Sequence, residues 1–128
     1  MSRVVLDASA VLALLNDEPG ADRLTPELLS DAVCSTVNLA EVHSKLVSAG
    51  GDADEAWEDA MSPIRAAVPF AEEHARLAGS LVSQTRALGL SLGDRACLAL
   101  GMAMKAPVYT ADRSWKVLKI GIKIHVIR

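Results

Sequence analysis

Four carboxylates of this 128-residue chain stand at places where a nucleotide-processing or metal-binding site is often built. They are Asp7, Glu41, Asp94 and Asp112. Asp7 and Asp112 follow predicted strands, and we expect Glu41 and Asp94 to lie in the first turns of helices. In a parallel α/β sheet all these places share one edge, so the four acids are predicted to meet there.

A cluster of this kind points to divalent metal chemistry. Four carboxylates in a confined space repel one another, and without counterions at least one is driven toward its protonated form. Divalent cations remove that conflict, and ligands that are all oxygen select Mg²⁺ or Mn²⁺ over zinc. The histidines do not compete, because His43 points to a different helix face from Glu41, and His74 and His125 stand alone.

Two hydroxyl residues accompany the acids. Ser9 lies two residues after Asp7, and Thr110 lies two residues before Asp112. Hydroxyls in such positions can orient a carboxylate or hold a metal-bound water. The alternative for both is an ordinary cap or turn hydroxyl.

Each acid also has a plainer interpretation as a helix cap. Asp7 and Asp112 could cap the helices that follow them, and Glu41 and Asp94 come three residues after Asn38 and Ser91, the spacing of a capping box. Capping explains any one acid well. The joint pattern at one sheet edge favours the metal site.

The elements that must position these acids alternate between strands and helices. Strands are predicted at 3–6, 33–36, 66–68, 108–110 and 122–127, the last of them at an edge of the sheet. Helices are predicted near 10–15, 26–31, 38–49, 53–61, 72–88, 91–105 and 114–118. The helix over 72–88 is expected to turn six residues inward: Ala75, Ala78, Leu81, Val82, Thr85 and Leu88. This order predicts a three-layer α/β/α fold with a mostly parallel sheet of about five strands.

Length and composition exclude several classes of protein. A chain of 128 residues fits one domain, which we expect to span 1–128. No run is long and apolar enough to cross a membrane, and Asp7 interrupts the only stretch that resembles a signal peptide, so we expect a cytoplasmic protein. The two cysteines, Cys34 and Cys97, form no metal-binding pair and are predicted to be buried thiols.

The charge is unevenly distributed along the chain. The net charge is −3, but the segment from Lys105 to Arg128 has six basic residues and one acid, a net of +5, which leaves −8 on the rest. Such asymmetry suggests a polyanion partner, although a solvated surface would look the same. Arg95, Arg113 and Lys116 are the candidates for holding phosphates.

Four segments of the chain resemble the acidic motifs of PIN-domain ribonucleases, in the same order and at the length of that family. They are Val5-Leu6-Asp7-Ala8-Ser9, Asn38-Leu39-Ala40-Glu41, Leu92-Gly93-Asp94-Arg95-Ala96-Cys97-Leu98-Ala99-Leu100 and Tyr109-Thr110-Ala111-Asp112-Arg113. Within that group the chain is similar to the VapC toxins of bacterial toxin–antitoxin pairs. The resemblance covers essentially the whole sequence.

The resemblance implies Mg²⁺- or Mn²⁺-dependent cleavage of RNA, a homodimer, and a VapB-type antitoxin as inhibitor. The acids of the family correspond to Asp7, Glu41, Asp94 and Asp112, of which the fourth contributes least uniformly. Asn38 joins Ser9 and Thr110 as a residue expected to support them. Transfer, ribosomal and messenger RNA are all open as substrates.

Three other functions are alternatives to a nuclease. A receiver-type signalling domain needs paired acids after the first strand and an aspartate after the third, whereas this chain has Asp7 alone and Val68-Pro69-Phe70. An aspartyl phosphatase needs a second acid where Ser9 stands. A catalytically inactive PIN-like interaction domain is the alternative that the sequence leaves open.

Overall fold

A five-stranded parallel sheet forms the centre of the computed structural model, which describes residues 2–128. The strands are β1 (Val4–Leu6), β2 (Ala32–Ser35), β3 (Ala66–Val68), β4 (Val108–Thr110) and β5 (Ile124–Val126). They lie in the order β3-β2-β1-β4-β5, and all neighbouring pairs are parallel. The predicted sheet is confirmed, and its last strand does lie at an edge.

Helices cover both faces of the sheet. The first half of the chain supplies α1 (Ala8–Leu15), α2 (Pro26–Leu29), α3 (Thr36–Ser48) and α4 (Ala53–Met61). The second half supplies α5 (Glu72–Ser80), α6 (Val82–Thr85) and α7 (Leu92–Met104). Short 3-10 helices lie at Ala21–Arg23, Arg86–Leu88 and Arg113–Val117.

Each face of the sheet has its own apolar core. Successive side chains of a strand point to opposite faces, so Val4 and Leu6 of β1 join the core under α1, α3 and α4, and Val5 joins the core under α7. Both β1 and β2 are fully buried, which explains their unbroken apolar sequences. The three-layer α/β/α fold is therefore confirmed.

The strand order places a topological switch point between β1 and β4. From β1 the chain proceeds to β2 on one side, and it later returns to add β4 on the other side. The crossover helices diverge at such a point and leave a crevice at the carboxyl ends of the strands. Asp7 and Asp112 both lie at this end, one after each of the two strands.

The prediction of one long helix over 72–88 is wrong. The segment is divided into α5, α6 and the 3-10 turn Arg86–Leu88. Hydroxyl and guanidinium side chains hydrogen-bond to backbone carbonyls around the break, since Thr85 donates to Leu81 O and Arg95 donates to Ala78 O. Of the six residues predicted to face inward, Ala78, Leu81 and Thr85 are buried and Leu88 is half-buried, whereas Ala75 and Val82 are exposed. His74, which was not among them, is also buried.

The predicted start of α3 at Asn38 is also wrong. The helix begins at Thr36, directly after β2, because the Ser35 hydroxyl accepts a hydrogen bond from the Val37 amide and caps it. Glu41 consequently lies in the second turn of the helix and not in the first. Asn38 does not cap the helix and is free to act as a buried side chain within it.

Two simpler predictions concern the membrane and the cysteines. No helix within residues 2–128 is long and apolar enough to cross a membrane. Cys34 and Cys97 are buried free thiols, as predicted, and burial raises the pKa of both.

Candidate active site

Asp7 is the most deeply buried of the four acids. It follows β1, and its side chain accepts hydrogen bonds from the Ala10 amide (2.8 Å), from the Ser9 hydroxyl (2.7 Å) and from the Thr110 hydroxyl (2.6 Å). The bond to Ala10 caps α1, so capping and site formation are both true of this residue. Ser9 and Thr110 both donate to its carboxylate, and their support of a metal-binding acid stays a prediction.

The two hydroxyls also connect Asp7 to the loop after β4. The Ser9 oxygen accepts from the Ala111 amide (2.9 Å), and the Thr110 oxygen accepts from the Asp112 amide (3.0 Å). Each hydroxyl therefore accepts a hydrogen bond from a backbone amide of the loop and donates a hydrogen bond to Asp7. This pair of bridges fixes the position of Asp112 relative to Asp7.

Burial makes the ionised form of Asp7 costly. Loss of solvent raises the pKa of Asp7 from 3.8 to about 6, and the charge of Asp94 adds to the increase. The hydrogen bonds from Thr110, Ser9 and Ala10 act in the opposite direction but do not cancel the effect of burial. An ionised Asp7 at neutral pH is thus a buried negative charge that a cation would stabilise.

Glu41 is held by Asn38, which lies on the same face of α3. The buried Asn38 amide donates to Glu41 Oε1 (2.8 Å) and to the Gly93 carbonyl (2.9 Å), so it joins α3 to the start of α7. Asn38 Oδ1 is buried and has no hydrogen-bond partner among the described residues. The predicted supporting role of Asn38 agrees with these contacts, whereas its predicted capping role does not.

Gly93 leaves the space that the Glu41 side chain occupies. A Cβ atom added to Gly93 would lie 2.5 Å from Glu41 Oε1 and 2.6 Å from Glu41 Oε2. No side chain fits at this position while the Glu41 carboxylate keeps its place. The glycine beside Asp94 is thus explained by the approach of Glu41, which sequence reasoning did not foresee.

Asp94 and Asp112 each combine a cap with a place in the site. Asp94 forms the predicted capping box, since Ser91 Oγ accepts from the Asp94 amide and Asp94 Oδ2 accepts from the Ser91 amide. Asp112 caps the 3-10 helix Arg113–Val117 by accepting from the amide and the hydroxyl of Ser114. It is the only exposed member of the four.

All four acids line one cavity of about 280 Å³ at the carboxyl edge of the sheet. Three charged residues that were not predicted as site residues also line it: Glu18, Lys45 and Arg128. Lys45 lies one helical turn after Glu41, and Arg128 follows β5 by two residues as Asp112 follows β4. Those spacings are visible in the sequence and were the signal that could have indicated both cations.

The predicted phosphate-binding residues lie outside this cavity lining. The Arg95 guanidinium donates to the Ala78 carbonyl (2.8 Å), and Arg113 Nε donates to the Arg128 carbonyl (3.1 Å). Lys116 is exposed on the 3-10 helix. Contact of these three residues with RNA remains a prediction.

The histidines contribute no ligand to the cavity lining. His43 lies against the Ala53 carbonyl and the Trp57 ring, and His125 stacks on Tyr109. His74 is buried, and its Nδ1 accepts from the Ala71 amide. The donor set of the cavity is therefore all oxygen.

This donor set suits a hard divalent cation. The four carboxylates face one space, Asp7 is oriented by two hydroxyls, and Asn38 fixes Glu41. Within residues 2–128, no three acid, histidine or cysteine side chains converge tightly enough to hold a metal ion as they stand. Mutual repulsion keeps like charges apart, so a bound cation would have to draw the carboxylates together.

Comparison with known proteins points to one family. Residues 4–120 match the family model of the PIN domain. No relative was found among curated protein sequences.

Several solved structures have the same fold at low sequence identity. The DNA-bound VapBC of Salmonella typhimurium is 16% identical, with a TM-score of 0.74 and all of both chains covered (100% and 100%). VapBC2 of Rickettsia felis, bound to a promoter DNA fragment, is 18% identical, with a TM-score of 0.73 and 98% of each chain covered. Mycobacterium tuberculosis VapC20, a toxin that cleaves the sarcin-ricin loop, is 17% identical, with a TM-score of 0.74 over 94% of this chain and 98% of VapC20.

The raised pKa of Asp7 predicts an unusual dependence of stability on pH. The folded state holds a proton on Asp7 more tightly than the unfolded state, so stability of the metal-free protein falls as the pH rises from about 4 to about 6. A shift of about two pH units corresponds to about 3 kcal/mol. Asp7→Asn removes this loss, and we expect the variant to exceed the parent in unfolding free energy at pH 7.

Urea unfolding with a chelator present, between pH 4 and pH 8, measures this difference. Asp59→Asn, an exposed aspartate of α4, is the matched control and should follow the parent at every pH. If the unfolding free energies of Asp7→Asn and the parent differ by the same amount at every pH, the pKa of Asp7 is not raised in the folded state.

The close approach of Glu41 to Gly93 predicts a selective effect on metal binding. Gly93→Ala displaces the end of a flexible side chain, so the unfolding free energy should change by no more than about 1 kcal/mol. Mn²⁺ affinity should fall about 10-fold because the Glu41 carboxylate can no longer occupy its place. Gly79→Ala, where an added Cβ meets nothing within 4 Å, is the control. Equal Mn²⁺ affinity in both variants, measured by calorimetry, would remove Glu41 from the metal site.

Proposed function

This chain belongs to the PIN domain family, and we propose that it is a metal-dependent endoribonuclease that acts as the toxin of a type II toxin–antitoxin module. The observation that carries the proposal is the set of four carboxylates, on four separate elements, that line one cavity at the sheet's switch point. A fold needs no such cluster for stability, since the charges oppose one another. A site for phosphodiester chemistry does need it.

We propose that Asp7, Glu41, Asp94 and Asp112 hold Mg²⁺ or Mn²⁺ in this cavity. The bound metal would lower the pKa of the attacking water and neutralise the charge that develops on the leaving oxygen. The residues around the carboxylates would keep them oriented to bind the metal. Ser9 and Thr110 keep Asp7 oriented, and Asn38 keeps Glu41 against Gly93.

The charge and the aromatic content of the chain favour a polyanionic substrate that is recognised through its phosphate backbone. The segment from Lys105 to Arg128 carries a net charge of +5, and 3% of the chain is aromatic, which leaves little capacity for stacking on bases. Arg113 and Lys116 lie on the exposed loop and helix after β4, next to the cavity residue Asp112. RNA is thus the proposed substrate, with contacts mainly to phosphates and to shape.

The proposed partner is a VapB-type antitoxin. The structural neighbours from Salmonella typhimurium and Rickettsia felis are VapBC structures, and VapC20 is a toxin that cleaves the sarcin-ricin loop. A cavity lined by carboxylates can accept an inhibitor's arginine or lysine in place of metal, and such an enclosed ion pair is strong when its hydrogen bonds are satisfied. The proposal includes a homodimer acting in the bacterial cytoplasm, where both RNA and antitoxin would be met.

The first test of this proposal is cleavage of RNA by purified protein. Asp94→Asn keeps an oxygen that can accept from the Ser91 amide, so the cap of α7 survives while a metal-holding charge is lost. We expect Mg²⁺- or Mn²⁺-dependent cleavage of total bacterial RNA to fall about 100-fold or more, with Asp59→Asn unchanged. Cleavage by Asp94→Asn at the parent's rate would contradict the assignment. A parent protein that folds and cleaves no RNA in either metal would favour an inactive interaction domain.

The second test concerns the biological role. Expressed in a bacterium without its antitoxin, the protein should arrest growth, and Glu41→Gln at the same expression level should not. Asn38 can still hydrogen-bond the glutamine oxygen, so the variant should fold normally. Equal growth arrest by the two proteins would show that toxicity does not arise from this cavity.

A further inference from the structure

The acidic cavity has two cationic residues in its lining, and neither belongs to the set predicted to bind phosphate. Of the described residues that line it, Lys45 and Arg128 are the positively charged ones. They face five carboxylates, namely the four acids and Glu18. The acids repel a phosphodiester that enters this space. A positively charged side chain is therefore needed to bind any phosphate that a metal ion does not contact.

The sheet register places Arg128 level with Asp112. Thr110 of β4 pairs with Val126 of β5, and the Ile127 amide donates to the Thr110 carbonyl (2.9 Å). Two residues beyond each paired position lie Asp112 and Arg128. The parallel arrangement therefore delivers a carboxylate and a guanidinium to the same edge from adjacent strands.

Contacts on three sides hold Arg128 in place. Its guanidinium donates to Glu18 Oε1 (2.9 Å) and to the Pro19 carbonyl (3.3 Å), and its own carbonyl accepts from Arg113 Nε (3.1 Å). Gly20, at φ +96°, brings its backbone against Ile127 so closely that a Cβ would overlap the Ile127 carbonyl. Even so, 31% of the Arg128 side chain stays exposed, so the guanidinium is oriented but accessible.

Lys45 approaches the same place from α3. It lies four residues after Glu41, on the same helix face, and is exposed. Glu18 accepts a hydrogen bond from Arg128, which is the main cause of the lowered pKa of Glu18, and the charge of Lys45 contributes to that lowering. Glu18 thus holds Arg128 at a cavity whose lining also includes Lys45.

We propose that Arg128 and Lys45 bind a phosphate of the RNA next to the one that is cleaved. Glu18 and Arg113 are positioning residues, since they act by holding Arg128. This inference rests on the proposed nuclease function and adds the subsite that orients the substrate. It also assigns Arg113 a role as an anchor for the Arg128 backbone.

A purely structural role for Arg128 makes a different prediction. If its contacts only fasten the segment after β5, its loss should lower the unfolding free energy without altering how RNA binding depends on salt. Phosphate contacts release counterions, so each one contributes about 0.7 to the slope of log affinity against log salt for single strands. Salt dependence and the split between KM and kcat therefore separate the two roles.

The experiment compares the parent with Arg128→Gln and Lys45→Gln. Arg65→Gln is the control, because Arg65 is a partly exposed arginine that also faces an acid, Asp31 (3.9 Å), at the opposite edge of the sheet. Binding is measured with a fluorescein-labelled single-stranded RNA at several salt concentrations in Mg²⁺, with Asp94→Asn added to each protein that cleaves RNA so that the probe stays intact. Cleavage of total bacterial RNA gives KM and kcat, and urea unfolding gives the stability of each variant.

We expect Arg128→Gln and Lys45→Gln each to raise KM about 5- to 10-fold with kcat within about twofold, and to reduce the salt slope by about 0.7. Arg65→Gln should match the parent. If the parent cleaves RNA and both variants match Arg65→Gln in KM and slope, the inference is overturned and the nuclease stands. The same holds if stability alone falls.

The remaining outcomes concern a parent that does not cleave RNA. A parent that binds RNA without cleaving it, with a slope that both variants reduce, would show that Arg128 and Lys45 contact RNA phosphates. It would overturn the nuclease and, with it, the assignment of these residues to a phosphate next to a cleaved one. A parent that neither binds nor cleaves RNA would overturn both.

Discussion

The carboxylate of Asp7, buried between β1 and β4, is the interaction on which the site depends. Only 4% of this residue is exposed, and the Ser9 and Thr110 hydroxyls bring it into contact with the loop that carries Asp112. The same carboxylate caps α1. A buried charge is tolerated when its hydrogen bonds are satisfied, and here those bonds also set the spacing of the site.

The rest of the cavity follows from the parallel sheet and its helices. Strands that all run in one direction bring their following residues to one edge, and α3 and α7 add Glu41 and Asp94 from opposite faces. Asn38 connects these two helices across the edge, because it donates both to Glu41 of its own helix α3 and to the Gly93 carbonyl of α7. The structure therefore holds repelling charges near one another by hydrogen bonds from neutral side chains.

The sequence predicted the parts of this arrangement that depend on periodicity and order. Apolar runs marked the strands, and residues next to their ends marked the acids. It did not indicate where α3 begins, because Ser35 and Asn38 are both good caps and only the direct passage from β2 into the helix decides between them. The sequence also did not indicate the break in the helix after Ser80. That break depends on hydrogen bonds from side chains such as Arg95 to backbone carbonyls. Glu18 was missed because its place at the cavity depends on the loop after α1, whose path no pattern reveals.

The central claim is that Asp7, Glu41, Asp94 and Asp112 jointly hold a divalent cation. The most direct measurement is the anomalous scattering of crystals soaked in Mn²⁺. The account predicts an anomalous peak inside the cavity, at a position where the Mn²⁺ ion is bonded to Asp7 and to at least one other of the four carboxylates. Absence of any peak there, at a Mn²⁺ concentration that supports RNA cleavage in solution, would contradict it.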